Sequence, residues 1–177
     1  LCTCGHWAEC SDGTLNEDPV DVNFARDAGC THNNWCSKSK DTSSKRTGSS
    51  VFDLNGDGAA EVIYNDECYF RVYTGLTGQI LYMAESSSRT RTEYPVVADA
   101  DNDGNAELIF VTSNESGLCG VGGIDNRSNN GLEVWGDPTD AWVSARRIWH
   151  QHPYHITDVT ENGAIPSVEV DSWGYDN

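Results

Sequence analysis

The residues best placed to do chemistry lie in two short acidic runs. Asp53, Asn55, Asp57 and Glu61 hold positions one, three, five and nine of the first run, and Asp99, Asp101, Asp103 and Glu107 hold the same positions of the second. A hard cation such as calcium takes about six to eight oxygens, which a tight loop can supply from alternate side chains. Gly58 and Gly104 at position six permit a sharp turn, and position seven offers a backbone carbonyl. The runs therefore predict two Ca2+ sites. One is made by Asp53, Asn55, Asp57, the carbonyl of Ala59 and Glu61, the other by Asp99, Asp101, Asp103, the carbonyl of Asn105 and Glu107. The plainer alternative is an Asp/Asn/Gly turn that binds nothing. Two copies with a matching glutamate at position nine argue against accident, and crowded carboxylates repel one another unless a cation neutralises them.

The opening of each run is shared with EF-hands, which also need a bidentate glutamate at position twelve and flanking helices. Position twelve is Tyr64 in one run and Phe110 in the other. The flanks, 62–64 and 108–111, are short and rich in β-branched and aromatic residues, so they predict strands. An EF-hand is excluded. Each loop should join two strands, and the segments 69–73 and 79–83 supply a third and fourth strand to the first unit. The second unit begins at 94–97 and continues with 107–112 and 132–135; its fourth strand is expected within 142–149. The whole segment 50–64 recurs as 96–110, a repeat near the length of a four-stranded propeller blade.

These paired Asp-x-(Asn/Asp)-x-Asp-Gly-x-x-Glu loops between short strands resemble FG-GAP/VCBS repeats, the blades of calcium-binding β-propellers. The tail 142–166 resembles a segment that follows such repeats in large bacterial surface proteins. The resemblance covers roughly residues 49–170 and implies an all-β fold of propeller blades, which places the blades and both calcium loops in 49–177; the cysteine-rich start, 1–48, lies outside the resemblance and is set apart as a disulfide-rich segment on its composition. Two units do not close a ring, since propellers typically have about four to eight blades. The chain is therefore expected to be part of a larger propeller, a short capped stack, or a subunit completed by other copies.

Composition bounds the rest. With 28 Asp plus Glu against 11 Lys plus Arg, the formal net charge is −17. Such a surface repels a phosphate backbone, which argues against nucleic-acid partners. No apolar run approaches the length of a membrane span. The 6 Trp and 7 Tyr speak for a folded core rather than an acidic disordered chain. Five of the 7 cysteines (Cys2, Cys4, Cys10, Cys30, Cys36) fall at the start of the chain. Zinc is one reading of Cys2, Cys4 and His6, but paired zinc spacing is absent, and disulfides formed in an oxidising compartment are the simpler one. The start at Leu1, with no basic-then-apolar signal segment, predicts a mature form or a fragment of an extracellular protein.

The remaining constellations point less sharply. His150, His152 and His155 are expected to pack and hydrogen-bond with neighbouring aromatics rather than hold a transition metal, and Arg146 and Arg147 to pair with acids. Residues 158–163 outline a third loop, but Thr160, Asn162 and Pro166 stand where carboxylates belong, so a plain turn is expected. Asn114 and Asn126 are glycosylation acceptors on paper. Motifs for a catalytic serine, a zinc protease or a phosphate loop are missing, so no enzyme is expected. The function predicted is an extracellular calcium-stiffened structural or adhesion module, with other copies or the rest of a larger chain as partners. The alternatives are a filament subunit, or a polysaccharide-directed module in which Trp135 and Trp142 stack on sugars.

Overall fold

The structure is a computed structural model of the chain and describes residues 35, 37, 48–86, 94–113, 131–151 and 153–172. Every regular element among them is a strand: β1 (Ser50–Phe52), β2 (Glu61–Asn65), β3 (Tyr69–Tyr73), β4 (Ile80–Glu85), β5 (Val96–Ala98), β6 (Glu107–Thr112) and β7 (Gly131–Trp135). They form two antiparallel sheets, β1-β2-β3-β4 and β5-β6-β7, neither closed into a barrel. The two repeats fold alike. Ser50 pairs with Ile63 and Phe52 with Glu61 in the first; Val96 pairs with Ile109 and Ala98 with Glu107 in the second.

Alternation decides which side of each strand is buried. In β2, Glu61, Ile63 and Asn65 are buried while Val62 and Tyr64 are half-buried, and in β6, Leu108 and Phe110 are buried while Val111 is exposed. The inward sets meet between the sheets in one core of Leu54, Ile63, Phe70, Val72, Val97, Ala106, Leu108, Phe110 and Trp142. The Phe70 and Phe110 rings stack with centroids 3.8 Å apart, and Trp135 meets both edge-on at 5.4 and 5.3 Å. The Asn65 side-chain amide donates across the gap to the Val111 carbonyl at 3.0 Å. β3 is buried along its whole length, and at its Tyr73 end Trp35 helps to cover the outer side, packing on Tyr73 and donating to the Gly75 carbonyl at 2.7 Å.

Two sequence expectations change here. The fourth strand of the second unit does not form: 142–149 contains only an isolated bridge, Ser144 with Asn105. After β7 the Asp137 carboxylate accepts from the Thr139 amide and hydroxyl and the Ala141 amide, and Asp140 adopts a φ of 53°. This turn sends the chain back across the ends of both sheets instead of alongside β7. Trp142 is also not an open sugar platform, whereas Trp135 is half-buried. Trp142 is buried against Tyr82 and the core, and Trp135 spends its ring edge-on to the phenylalanine stack.

Cys68 is buried and disulfide-bonded. The cysteines of 1–48, together with Asn114, Asn126 and His152, lie outside the described residues.

Candidate metal centre

Each loop hangs from the last pair of a hairpin, and that pairing explains the position-nine glutamate. Because Glu61 sits opposite Phe52, its carboxylate reaches back to the amide of Leu54, loop position two, at 2.8 Å. Glu107, opposite Ala98, does the same to the Ala100 amide at 2.6 Å. Both glutamates are buried and close the neck of the loop. Positive φ at Gly58 (85°) and Gly104 (99°) lets the chain double back, a conformation open to glycine at little steric cost.

Inside the first loop the acids are turned toward main-chain amides. Asp53 Oδ1 accepts from Gly56 and Asp57 at 2.8 and 3.1 Å, and its Oδ2 from Gly58 at 2.8 Å. Asn55 Oδ1 accepts from Asp57, and Asp57 Oδ1 from Ala59. The second loop repeats the later contacts, with Asp101 Oδ1 accepting from Asp103 and Asp103 Oδ1 from Asn105. It differs at its first residue. Asp99 is only 8% exposed, and its Oδ1 is buried without a hydrogen-bond partner.

Ligand oxygens of Asp99, Asp101 and Glu107 lie within 4.8 Å of one another, the one such carboxylate set among the described residues. Like charges about 4 Å apart repel by ~4 kcal/mol at an effective dielectric of roughly 20. Burial pushes the Glu107 carboxyl above its ordinary pKa; the Ala100 amide opposes this, and the charges of Asp101, Asp103 and Asp99 add to it. Glu61 is raised likewise by burial, against the Leu54 amide and with the charges of Asp57 and Asp53. A divalent cation would reverse these electrostatics, and the orphaned Asp99 oxygen fits it as a donor. Of the ten residues singled out from sequence, the structure places both sets in their loops and gathers Asp99, Asp101 and Glu107 most closely. Sequence reasoning missed the amides of Leu54 and Ala100. It also missed Asn102, which adopts a φ of 70° where the first loop has Gly56 at 71°; an asparagine aligned with a glycine was the available signal.

The other polar clusters are structural. The third loop outline is a turn in which the Gly163 amide donates to the Thr160 carbonyl and the Thr160 amide to that of Ala164. Asp158 Oδ2 accepts from the His155 amide and the Gln151 side chain. Arg146 holds this turn through the Ile156 and Val159 carbonyls and pairs with Glu161. The Trp149 ring packs on Tyr154 at 4.7 Å, and His150 meets Tyr154 edge-on.

The exposed His155 imidazole is held above its ordinary pKa by the Pro153 carbonyl and then by Glu169. Glu169 is lowered by the Thr157 hydroxyl and by His155. The His155 contribution to stability is thus complete below the unfolded pKa and fades as pH rises through the folded one. That of Glu169 is present above its unfolded pKa and fades as pH falls through the folded one. NMR titration of His155 is expected to give a midpoint above that of a free imidazole, moving part of the way back in Glu169→Gln. An unmoved midpoint would show that the pair does not form in solution.

Comparison with known proteins agrees with this arrangement. Residues 53–110 match the sequence profile of the FG-GAP-like repeat, from the first acidic residue of the first loop to the core phenylalanine of β6. Among solved structures, the chain is similar to the V. cholerae biofilm matrix protein Bap1, at 34% sequence identity and a TM-score of 0.59. The similarity covers 73% of this chain and 21% of that one, so the chain spans about a fifth of that protein's length. No curated protein sequence matches the chain.

Proposed function

We propose that the chain is an extracellular structural or adhesion module whose two loops bind calcium and which packs as propeller-type blades within a larger assembly. The observation that carries the calcium reading is the buried, unpartnered Asp99 oxygen beside Asp101 and Glu107. Asp103 and the Asn105 carbonyl would complete the second site, and Asp53, Asn55, Asp57, the Ala59 carbonyl and Glu61 the first. Calcium supplies positive charge and oxygen coordination at each hairpin end, fixing loops that are otherwise exposed and acidic. The blade reading is supported by the shared strand register of the two units, by the contact between their first strands, β1 and β5, and by the FG-GAP-like match. The extracellular setting and the structural role are supported by the likeness to a biofilm matrix protein. We read the module as non-enzymatic. The acids that would serve proton transfer in the first loop already accept hydrogen bonds from their own main chain. Other protein surfaces, from copies of this chain or from a larger polypeptide, are its partners in this reading. No helix among the described residues is long and apolar enough to cross a membrane.

Removal of calcium tests the reading. A ligand at roughly 100 times its Kd stabilises a protein by about 2.7 kcal/mol per site. For extracellular sites with Kd near ~10⁻⁴ M that condition is met at about 10 mM calcium. Two sites then raise Tm by about 10 °C or more over the chain in EDTA. Equal melting temperatures in calcium and EDTA, together with no bound calcium by elemental analysis, would overturn it.

A further inference from the structure

The segment that fails to become a strand touches both loops, and one residue does so with its main chain alone. The Val143 amide donates to the Leu54 carbonyl at 2.9 Å, in the first loop, while its own carbonyl accepts from the Ala106 amide at 3.0 Å, in the second. The contacts extend to the same position in each loop. A Cβ on Gly56, the fourth residue of the first, would stand 3.0 Å from Val143 Cγ1. Asn102, the fourth residue of the second, accepts from Arg147 Nη1 at 2.7 Å through its side-chain oxygen. Both fourth residues hold a positive φ, 71° and 70°. The Arg146 carbonyl further accepts from the amide of Asp99, the first ligand position, at 3.1 Å, and Ser144 bridges Asn105 at the seventh. Buried Trp142 anchors the near end in the core, and the Arg146 side chain anchors the far end on the Ile156 and Val159 carbonyls.

We propose that segment 142–147 is a strap that couples the two loops, with Val143 and Arg147 as positioning residues, so that an ion in one loop raises the affinity of the other. The inference rests on the calcium reading above. The mechanism is shared ordering. An ion in the first loop fixes 54–56, which fixes Val143, which in turn holds Ala106 beside the Glu107 ligand and, through Arg147, holds Asn102 between Asp101 and Asp103. The second ion then meets a loop already ordered and loses less conformational freedom on binding. Couplings of this kind amount to about 5- to 150-fold in affinity.

The full chain is titrated with calcium by calorimetry, and amide hydrogen exchange of Gly56, Asp57 and Gly58 is followed in parallel. With the second loop disabled by Asp101→Ala and Asp103→Ala, the first loop is expected to bind calcium about fivefold or more weakly than in the intact chain. Its amides should also exchange faster at equal calcium. In Arg147→Ala, an exposed substitution, disabling the second loop should matter about half as much or less, whereas Arg147→Lys, which still donates to Asn102, should retain more of the coupling. Val143→Pro, which deletes the donor to Leu54, should uncouple the loops further; if it fails to fold, the two Arg147 variants decide. Two bound ions, with a first-loop Kd indifferent to the second loop, would overturn the strap and leave the calcium reading standing. Coupling undiminished in Arg147→Ala would also overturn it. Absence of any calcium binding would overturn both.

Discussion

Replacing Phe110 by alanine is expected to destabilise the folded chain by about 3–5 kcal/mol, a large share of the roughly 5–15 kcal/mol that holds a typical domain together. Phe110 is 2% exposed and lies flat on Phe70, which is wholly buried, with the Trp135 ring against the edges of both. Each of these rings comes from a different strand, β6, β3 and β7, so the cluster fastens one sheet to the other. Truncation removes the stack and opens a cavity that three rigid β-strands cannot close, and the cost of such a cavity adds to the lost burial. Phe110→Leu keeps most of the volume and should cost less than half as much. Urea denaturation of the two variants in saturating calcium measures the difference. A loss of under about 1 kcal/mol for the alanine variant would mean that the sheets are not joined through these rings. The variant has a functional reading too. The ring sits three residues beyond Glu107 on the strand that carries the second loop's neck, so loosening β6 should also weaken calcium binding there.

How much of this was legible in the sequence follows the range of the interactions. The loops and their strands were readable because their determinants are local. Asp99, Asp101 and Asp103 fall on alternate positions, Gly104 supplies the turn, and the apolar runs on either side are short enough to be strands. The glutamate neck was half readable: a carboxylate at position nine was expected as a ligand, but its bond to the amide at position two needs the hairpin register, which pairs it with the residue before the loop. The path of 142–149 was not readable. Trp142, Val143 and the residues after them have the composition of a strand, and periodicity cannot distinguish pairing along β7 from a crossing over the loops. What decides it is the carboxylate turn at Asp137 and the partners waiting at Leu54 and Ala106, all but the first far away in sequence. The same distance dependence misled the reading of Trp142 as an exposed platform. Its neighbours Tyr82 and Leu54 belong to the other repeat.

Asp66→Ala is expected to cost about as much as any core truncation, roughly 3–5 kcal/mol, because it removes one member of a buried ion pair. Asp66 is 1% exposed and Arg71 4%, and the two side chains pair directly. One carboxylate does two jobs here. Asp66 Oδ1 accepts from the amides of Cys68 and Tyr69 at 2.8 and 2.7 Å, forming the turn between β2 and β3, while Oδ2 holds Arg71. The guanidinium lies over the Tyr69 ring at 4.5 Å, on the side of β3 that Trp35 helps to cover. Alanine would leave that cation buried without its counter-charge and the two amides without their acceptor, and an uncompensated buried charge is the costly half of such a pair. Asp66→Asn separates the two losses: the amide oxygen can still serve the turn, but the charge is gone. It is expected to recover only the smaller part, since an ordinary hydrogen bond nets about 0.5–1.5 kcal/mol. Exchanging both partners, Asp66→Asn with Arg71→Met, should be less damaging than either loss alone, as fits a pair whose desolvation cost rivals its attraction. Thermal melts in calcium of the native chain, Asp66→Asn, Arg71→Met and the double variant form a double-mutant cycle, and simple additivity across it would show that the pair is not coupled in the folded protein. Because the pair lies on the first sheet, away from both acidic loops, its loss should lower stability equally in calcium and in EDTA.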